Sequence, residues 1–209
     1  MAQMVQARRP ELIRADKELV QRCQQGDQSA FELLLQKFER RIFGLIYQIV
    51  RSPGDVEDIA QEVFTKLYFS LPQFRLEASF EAWLYRITVN QCYDFLRKRK
   101  RDAQVVESDL SEEEAHFFEK FGSVTQPHYP DVSSRLEVQQ TAERLLSTLP
   151  PKDRSMLILK EIEELSIAEL SEIFKTSASA IKLRLFRARN QLRSVYEKSR
   201  KENKGTRRS

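Results

Sequence analysis

Apolar residues recur along the chain at intervals of three and four and stop at turn-forming residues, so the sequence divides into short helices. Leu19, Val20 and Cys23 form the first group, with Asp16 placed to cap it and Gly26 standing just past its last apolar position, where a left-handed stop belongs. Asp27 is placed to cap the next helix. There Phe31, Leu34, Leu35, Phe38, Ile42, Leu45, Ile46 and Ile49 predict a long amphipathic element ending at Ser52-Pro53-Gly54. Asp55 is expected to cap a third helix, whose stripe is Val56, Ile59, Ala60, Val63, Phe64 and Leu67. Glu57, Asp58, Gln61 and Glu62 lie off that stripe. A fourth helix is expected from about Phe80 to Arg101, and no stretch alternates with period two for long enough to argue a strand.

Periodicity fades from Asp102 to Asp131, a segment with eight acidic residues against the single base Lys120. It reads as an acidic linker, either a passive tether or a segment whose charge, at Asp109, Glu112, Glu113 and Glu114, mimics a polyanion. Its aromatics Phe117, Phe118, Phe121 and Tyr129 favour a functional segment. Helical pattern resumes at Ser133 with Leu136, Leu145, Leu146 and Leu149, and Pro150-Pro151 break it before MLILKEIEEL. Ser166 with Glu169 forms a capping box that opens a short helix bearing Ile167, Leu170, Ile173 and Phe174. The turn Lys175-Thr176-Ser177 leads into a final helix with Ile181, Leu185, Ala188 and Leu192 on one face. The expected fold is therefore all-α: one helical domain over 10–101, a flexible linker over 102–132, a second helical domain over 133–197 and a basic disordered tail over 198–209.

Composition narrows the chemistry. The 209 residues suit two small domains, and charged residues make up 32% against about 25% in an average soluble protein, with a net charge of +4 that admits an anionic partner. Cys23 and Cys92 cannot build a disulfide framework and read as small buried hydrophobes in a reducing cytosol. Five glycines form no phosphate loop, and His116 and His128 have no partners at metal-ligand spacing, so neither cofactor nor metal is expected and catalysis has few candidates. No apolar run reaches signal-peptide or membrane-span length, so a cytoplasmic chain without stable membrane insertion is expected.

Two helices concentrate positive charge. A short helix, a three-residue turn and a longer cationic helix form the pattern of a helix-turn-helix, with Lys182, Arg184, Arg187, Arg189 and Arg193 on the exposed side. The second concentration is Arg97-Lys98-Arg99-Lys100-Arg101, preceded on the same helix by Trp83, Tyr85, Arg86, Asn90, Tyr93 and Phe95. Aromatic faces can stack on unpaired bases while cations neutralise the backbone, which suits single-stranded DNA; the alternative makes Trp83 and Phe95 core and the basic run a solvated helix end.

DVEDIAQEVFTKLY at 55–68 and FRLEASFEAWLYRITVNQCYDFLRKRKR at 74–101 resemble the conserved-region-two signature of extracytoplasmic-function sigma factors of the sigma-70 family. LPPKDRSMLILKEIEELSIAELSEIF and TSASAIKLRLFRARNQLR resemble region four of the same family, in the same order. The resemblance implies a subunit of RNA polymerase that directs promoter-specific initiation. Asp55, Glu57, Asp58, Gln61 and Glu62 would then meet the clamp helices of the polymerase's largest subunit, and the flap of the second-largest is a further implied contact. Phe74, Arg75 and Ser79, on the loop 74–79, would form a pocket for a base flipped from the minus-ten element, with Trp83, Arg86, Asn90, Arg97 and Lys98 along the melted strand. Ser179, Lys182, Arg184, Phe186 and Arg187 would face the minus-thirty-five duplex. An anti-sigma factor is a further implied partner. The chain departs from the family pattern at Leu76, where glycine is usual, and at Leu183, where a small polar residue is usual.

Two other readings compete. A one-component helix-turn-helix regulator has no use for residues 16–101, and co-purification with core polymerase separates it from a sigma factor. A nucleic-acid-processing enzyme needs clustered carboxylates or a metal. Asp55, Glu57, Asp58 and Glu62 are close in sequence, but a helix N-terminus already favours acids there, and a metal-dependence assay separates the two.

Overall fold

The computed structural model describes residues 9–76, 79–102 and 132–206, and side-chain surroundings for 16–76, 79–101 and 140–200. The proposed acidic role of residues 103–131, both histidines and the last three residues lie outside them. All the regular elements among the described residues are helical. Contacts divide the chain into two compact units, at Gly122.

The first unit holds α1 (Arg9–Gln24), α2 (Gln28–Val50), α3 (Val56–Ser70) and α4 (Phe80–Asp102). Helix α1 starts earlier than its apolar stripe suggests, because Pro10 falls in the first turn, where a missing N–H leaves no intrahelical bond unmade. Asp16 is therefore no cap. It sits in mid-helix, 4% exposed, and its carboxylate pairs with Lys37 on α2, as a buried charge requires. Gly26 takes φ +89° and a Cβ there would meet nothing within 4 Å, so its requirement is conformational alone. Asp27 then caps α2, accepting from the Ala30 N–H at 3.1 Å.

Helix α2 packs against α1, α3 and α4, and every residue from Ile42 to Val50 is buried. The sequence pattern predicted an amphipathic helix throughout; the C-terminal half is apolar nearly all round, and such a segment is stable only when enclosed. Arg51 ends it in the left-handed region, φ 55°, with its guanidinium 4.9 Å from the Tyr47 ring centre, a contact worth about 0.5–1 kcal/mol. Pro53–Asp55 form a 3-10 turn running straight into α3, so Asp55 has helical dihedrals (φ −90°, ψ −9°) and does not cap through its side chain, which needs extended backbone. Its carboxylate lies 3.7 Å from the Arg99 guanidinium on α4 instead.

The second unit holds α5 (Val132–Ser147), α6 (Pro151–Glu161), α7 (Ile167–Phe174) and α8 (Ala178–Thr206). Pro151 opens α6 at the position that suits it. The capping box forms in full: the Glu169 N–H donates to Ser166 Oγ at 3.2 Å and the Ser166 N–H to Glu169 Oε2 at 2.7 Å. Lys175 turns the chain at φ 49°, and Ser177 Oγ accepts from the Ala180 N–H at 3.2 Å to start α8. Ile181, Leu185 and Ala188 of α8 are buried with Met156, Ile158, Leu159, Leu170 and Ile173, while Leu192 is half-buried. Helix α8 runs on to Thr206, so residues 198–206 are helical where the sequence predicted a disordered tail; Lys198, Arg200 and Lys201 continue a polar helix that no proline or glycine interrupts before Gly205.

Candidate nucleic-acid interface

Helix α3 buries Val56, Ile59, Ala60, Val63 and Leu67 and exposes Glu57, Asp58, Gln61 and Glu62. Glu57 and Asp58 lie in the first turn, where the helix dipole favours them. Asp55, half-buried and close to Arg99, stands apart from the other four candidates.

The loop that follows is held from a distance. Gln24, at the end of α1, donates through Nε2 to the carbonyl oxygens of Leu71 at 3.0 Å and Phe74 at 2.8 Å. Phe74 is turned inward, 8% exposed, with its ring centre 4.7 Å from Trp83 and 5.7 Å from Phe80. Phe80 in turn reaches Phe38 of α2 at 5.5 Å. Arg75 and Ser79 are exposed, and Ser79 starts α4 by accepting from the Ala82 N–H at 3.3 Å; Glu77 and Ala78 between them lie outside the described residues.

Trp83, Arg86, Asn90 and Arg97 follow at helical spacing along one side of α4. Trp83 and Arg86 are half-buried, and Asn90, Arg97 and Lys98 exposed, so Trp83 belongs wholly neither to the core nor to the surface. Phe95 is also half-buried. Between α3 and α4 lies a groove of about 590 Å³, lined by Glu62, Lys66, Asp94, Arg97, Lys98 and Arg101 among others. Lys66, on its α3 side, hydrogen-bonds the buried Gln91. The groove thus joins one residue expected at the polymerase to two expected at DNA.

Both free thiols are held towards their protonated form. Burial pushes the Cys92 thiol well above its ordinary value, and partial burial, with the Asp27 carboxylate nearby, raises that of Cys23. Cys92 is the small buried hydrophobe expected, whereas Cys23 is only partly covered.

On α8, Ser179, Lys182, Arg184, Phe186 and Arg187 are all exposed. Arg184 lies to one flank, 2.8 Å from Asp153 of α6, and Arg189 donates to Glu161 at 3.1 Å. The ridge farthest from the core carries Ser179, Leu183, Phe186, Arg187 and Asn190. Sequence reasoning did not single out Gln24, Lys66, Asp153 or Glu161, and noted Leu183 only as a departure. Gln24 left no signal, since its partners lie 47 and 50 residues away. Leu183 left one: an apolar residue off the stripe, three positions before another.

The family model described as Sigma-70 region 2 matches residues 34–102, and that described as Sigma-70, region 4 matches residues 139–192. RNA polymerase sigma-H factor of Pseudomonas aeruginosa is 35% identical over 178 residues, 85% of this chain and 91% of that protein. ECF RNA polymerase sigma-E factor of Escherichia coli is 35% identical over the same length, 92% of its own chain. The chain belongs to the extracytoplasmic-function group of the sigma-70 family. Solved structures agree on the fold: the sigma factor RpoE of Bartonella quintana, solved with the anti-sigma factor NepR, has a TM-score of 0.62 at 22% identity, covering 80% of this chain and 96% of its own. CnrH, solved with the cytosolic domain of CnrY, has the same TM-score and identity over 88% of this chain and 97% of its own. In this family member no helix among the described residues is long and apolar enough to cross a membrane.

Proposed function

We propose that this sigma-70 family chain binds core RNA polymerase and directs promoter-specific initiation, its first unit acting on the polymerase and the minus-ten element and its second on the minus-thirty-five element. The observation that carries this reading is the separation of chemistries: an exposed acidic face on α3, and two cationic helices, α4 and α8, one in each matched unit.

Glu57, Asp58, Gln61 and Glu62 meet the clamp helices of the largest subunit, with Asp55 at the edge, where Arg99 already partners it. These side chains are exposed and lie off the buried stripe of α3, so pairing with cations of a partner would cost no core contact. Arg75, Ser79, Trp83, Arg86 and Asn90 hold the melted minus-ten strand. Phe74 contributes from beneath by supporting the Trp83 ring, and Arg97 and Lys98 neutralise its phosphates. Ser179, Lys182, Phe186 and Arg187 face the minus-thirty-five groove, and Arg184 joins them by exchanging Asp153 for DNA.

The second unit also meets the flap of the second-largest subunit. An anti-sigma factor is a further partner, a reading supported by the Bartonella quintana structure that contains one. The chain works without catalysing a reaction, in the bacterial cytoplasm, where polymerase is found. The division into 10–101 and 133–197 is proposed for the working domains, with residues 102–132 as their acidic connection.

Runoff transcription with purified core polymerase across genomic fragments tests this. Specific start sites that appear only with the chain are expected. Failure to bind core, or transcripts independent of the chain, would overturn the reading.

A further inference from the structure

Helix α8 carries two large apolar side chains that its fold does not use. Leu183 is 48% and Phe186 60% exposed, and both stand on the ridge opposite Ile181, Leu185 and Ala188. Single exposed apolar residues are ordinary, but two neighbours three positions apart on a helix this cationic form a pattern.

The charge around them has a matching layout. Lys182 and Arg189 lie to one side of the ridge and Arg184 to the other, with Arg189 and Arg184 anchored on Glu161 and Asp153. Cations therefore flank a ridge whose two apolar side chains stand beside Arg187 and the polar Ser179 and Asn190. A helix entering a major groove about 12 Å wide meets phosphates at its sides and base edges at its centre. On those base edges one group is apolar, the C5-methyl of thymine.

We propose that Leu183 is a specificity-determining residue that contacts the methyl group of one thymine in the duplex read by α8, with Phe186 over the adjacent step. This rests on the assignment of α8 to the minus-thirty-five duplex made above. The two residues are separated by about 4.5 Å along the helix axis, close to the roughly 3.4 Å rise between base pairs, so they fall on neighbouring pairs. A protein surface is the less suitable occupant. No other large apolar side chain of α8 is exposed before Tyr196, more than three turns beyond Leu183, so the two make a small island among cations and polar groups.

The test uses holoenzyme assembled from the full chain and purified core. The preferred minus-thirty-five element is first selected from a randomised library, and each thymine in it is then replaced singly by deoxyuridine, which removes only the methyl group. Wild-type holoenzyme should lose about fourfold in affinity at one such position, the equivalent of one methyl group returned to water. Leu183→Ser should be insensitive to uridine at that position, whereas Phe186→Ala should keep the penalty there. Circular dichroism and the salt dependence of binding should match wild type in both.

A selected element without thymine would overturn the inference. So would uridine tolerated at every position by the wild type, or a uridine penalty that persists in Leu183→Ser. A Leu183→Ser defect in binding core polymerase, with uridine tolerated, would assign the ridge to a protein and also overturn it. If the library yields no preference at all, the assignment of α8 to the duplex fails as well; a strong preference with no uridine effect sinks the methyl contact alone.

Discussion

Replacing Gln24 tests whether the loop leading to α4 is held from α1. Its amide donates to two carbonyl oxygens, Leu71 at 3.0 Å and Phe74 at 2.8 Å. The Leu71 oxygen also accepts from the Phe74 N–H at 3.0 Å, so in Gln24→Ala the loss falls mainly on the Phe74 oxygen. A net cost of about 1–2 kcal/mol follows for two neutral bonds of which one acceptor keeps a second donor. For a unit of this size that lowers the midpoint of its thermal transition by about 5–15 °C. Trp83 is the only tryptophan and its ring centre lies 4.7 Å from that of Phe74, so its fluorescence follows this unit and this loop directly. Gln24→Glu supplies the discriminating control. It removes both donors and sets a carboxylate against two carbonyl oxygens, so it should be worse than alanine at neutral pH. Below about pH 4 the protonated carboxyl regains one O–H donor, and the gap to alanine should narrow. Promoter melting should fall with the loop, while closed-complex formation changes less. Equal stability of the alanine and glutamate variants at neutral pH would refute the clamp.

Three further outcomes are expected. Charge reversal of both Asp58 and Glu62 should weaken binding to core polymerase with unchanged circular dichroism, because both are exposed and off the buried stripe of α3; unchanged affinity would remove this face from the interface. The Ala30 N–H and the Arg22 guanidinium hold the Asp27 carboxyl below its ordinary value, so its folded-state pKa is depressed. Its stabilisation is then fully present above the unfolded value and lost as pH falls through the folded one. Asp27→Asn keeps the cap but should flatten the acid limb of stability between about pH 4 and lower values, seen in denaturation series against wild type. On α8, Arg187→Ala, which removes the cation of the ridge itself, should relax preference at one minus-thirty-five position at a cost of about 1–3 kcal/mol. Arg193→Ala should weaken all promoters alike and lower the salt slope by about one, so identical uniform losses over a library of variants would count against the division.

The elements were legible wherever local chemistry fixes them. Gly26, the Asp27 cap, the Ser166–Glu169 box and the Lys175 turn all act within five residues, so a linear reading finds them. Asp16 and Asp55 look like caps because a carboxylate before an apolar run usually is one, but α1 begins at Arg9 and a 3-10 turn holds Asp55 in helical dihedrals, and both carboxylates meet partners from another helix instead, Lys37 and Arg99. The enclosure of Ile42–Val50 depends in the same way on what α1, α3 and α4 supply around it. The candidate interface was legible by residue type and less so by orientation: exposure of α3 and α8 followed from periodicity, whereas the inward turn of Phe74 and the tethering of Arg184 did not.

Trp83 shows why periodicity stops short of function at this site. The sequence left it either as core or as a platform for bases, and its ring is packed against Phe74 and Phe80 yet only half-buried, an arrangement that fits both. A large aromatic at the start of a helix can bury one face against a loop and leave the other to solvent, and no spacing rule separates the two faces. Its truncation therefore removes packing and stacking together. Part of the about 3–5 kcal/mol expected for a fully buried aromatic would be lost with any stacking on DNA, and the transcription defect of Trp83→Ala would mix the two. Gln24 acts from beneath the loop without an aromatic ring, so a melting defect in Gln24→Ala that exceeds its loss of stability would isolate loop placement from ring chemistry.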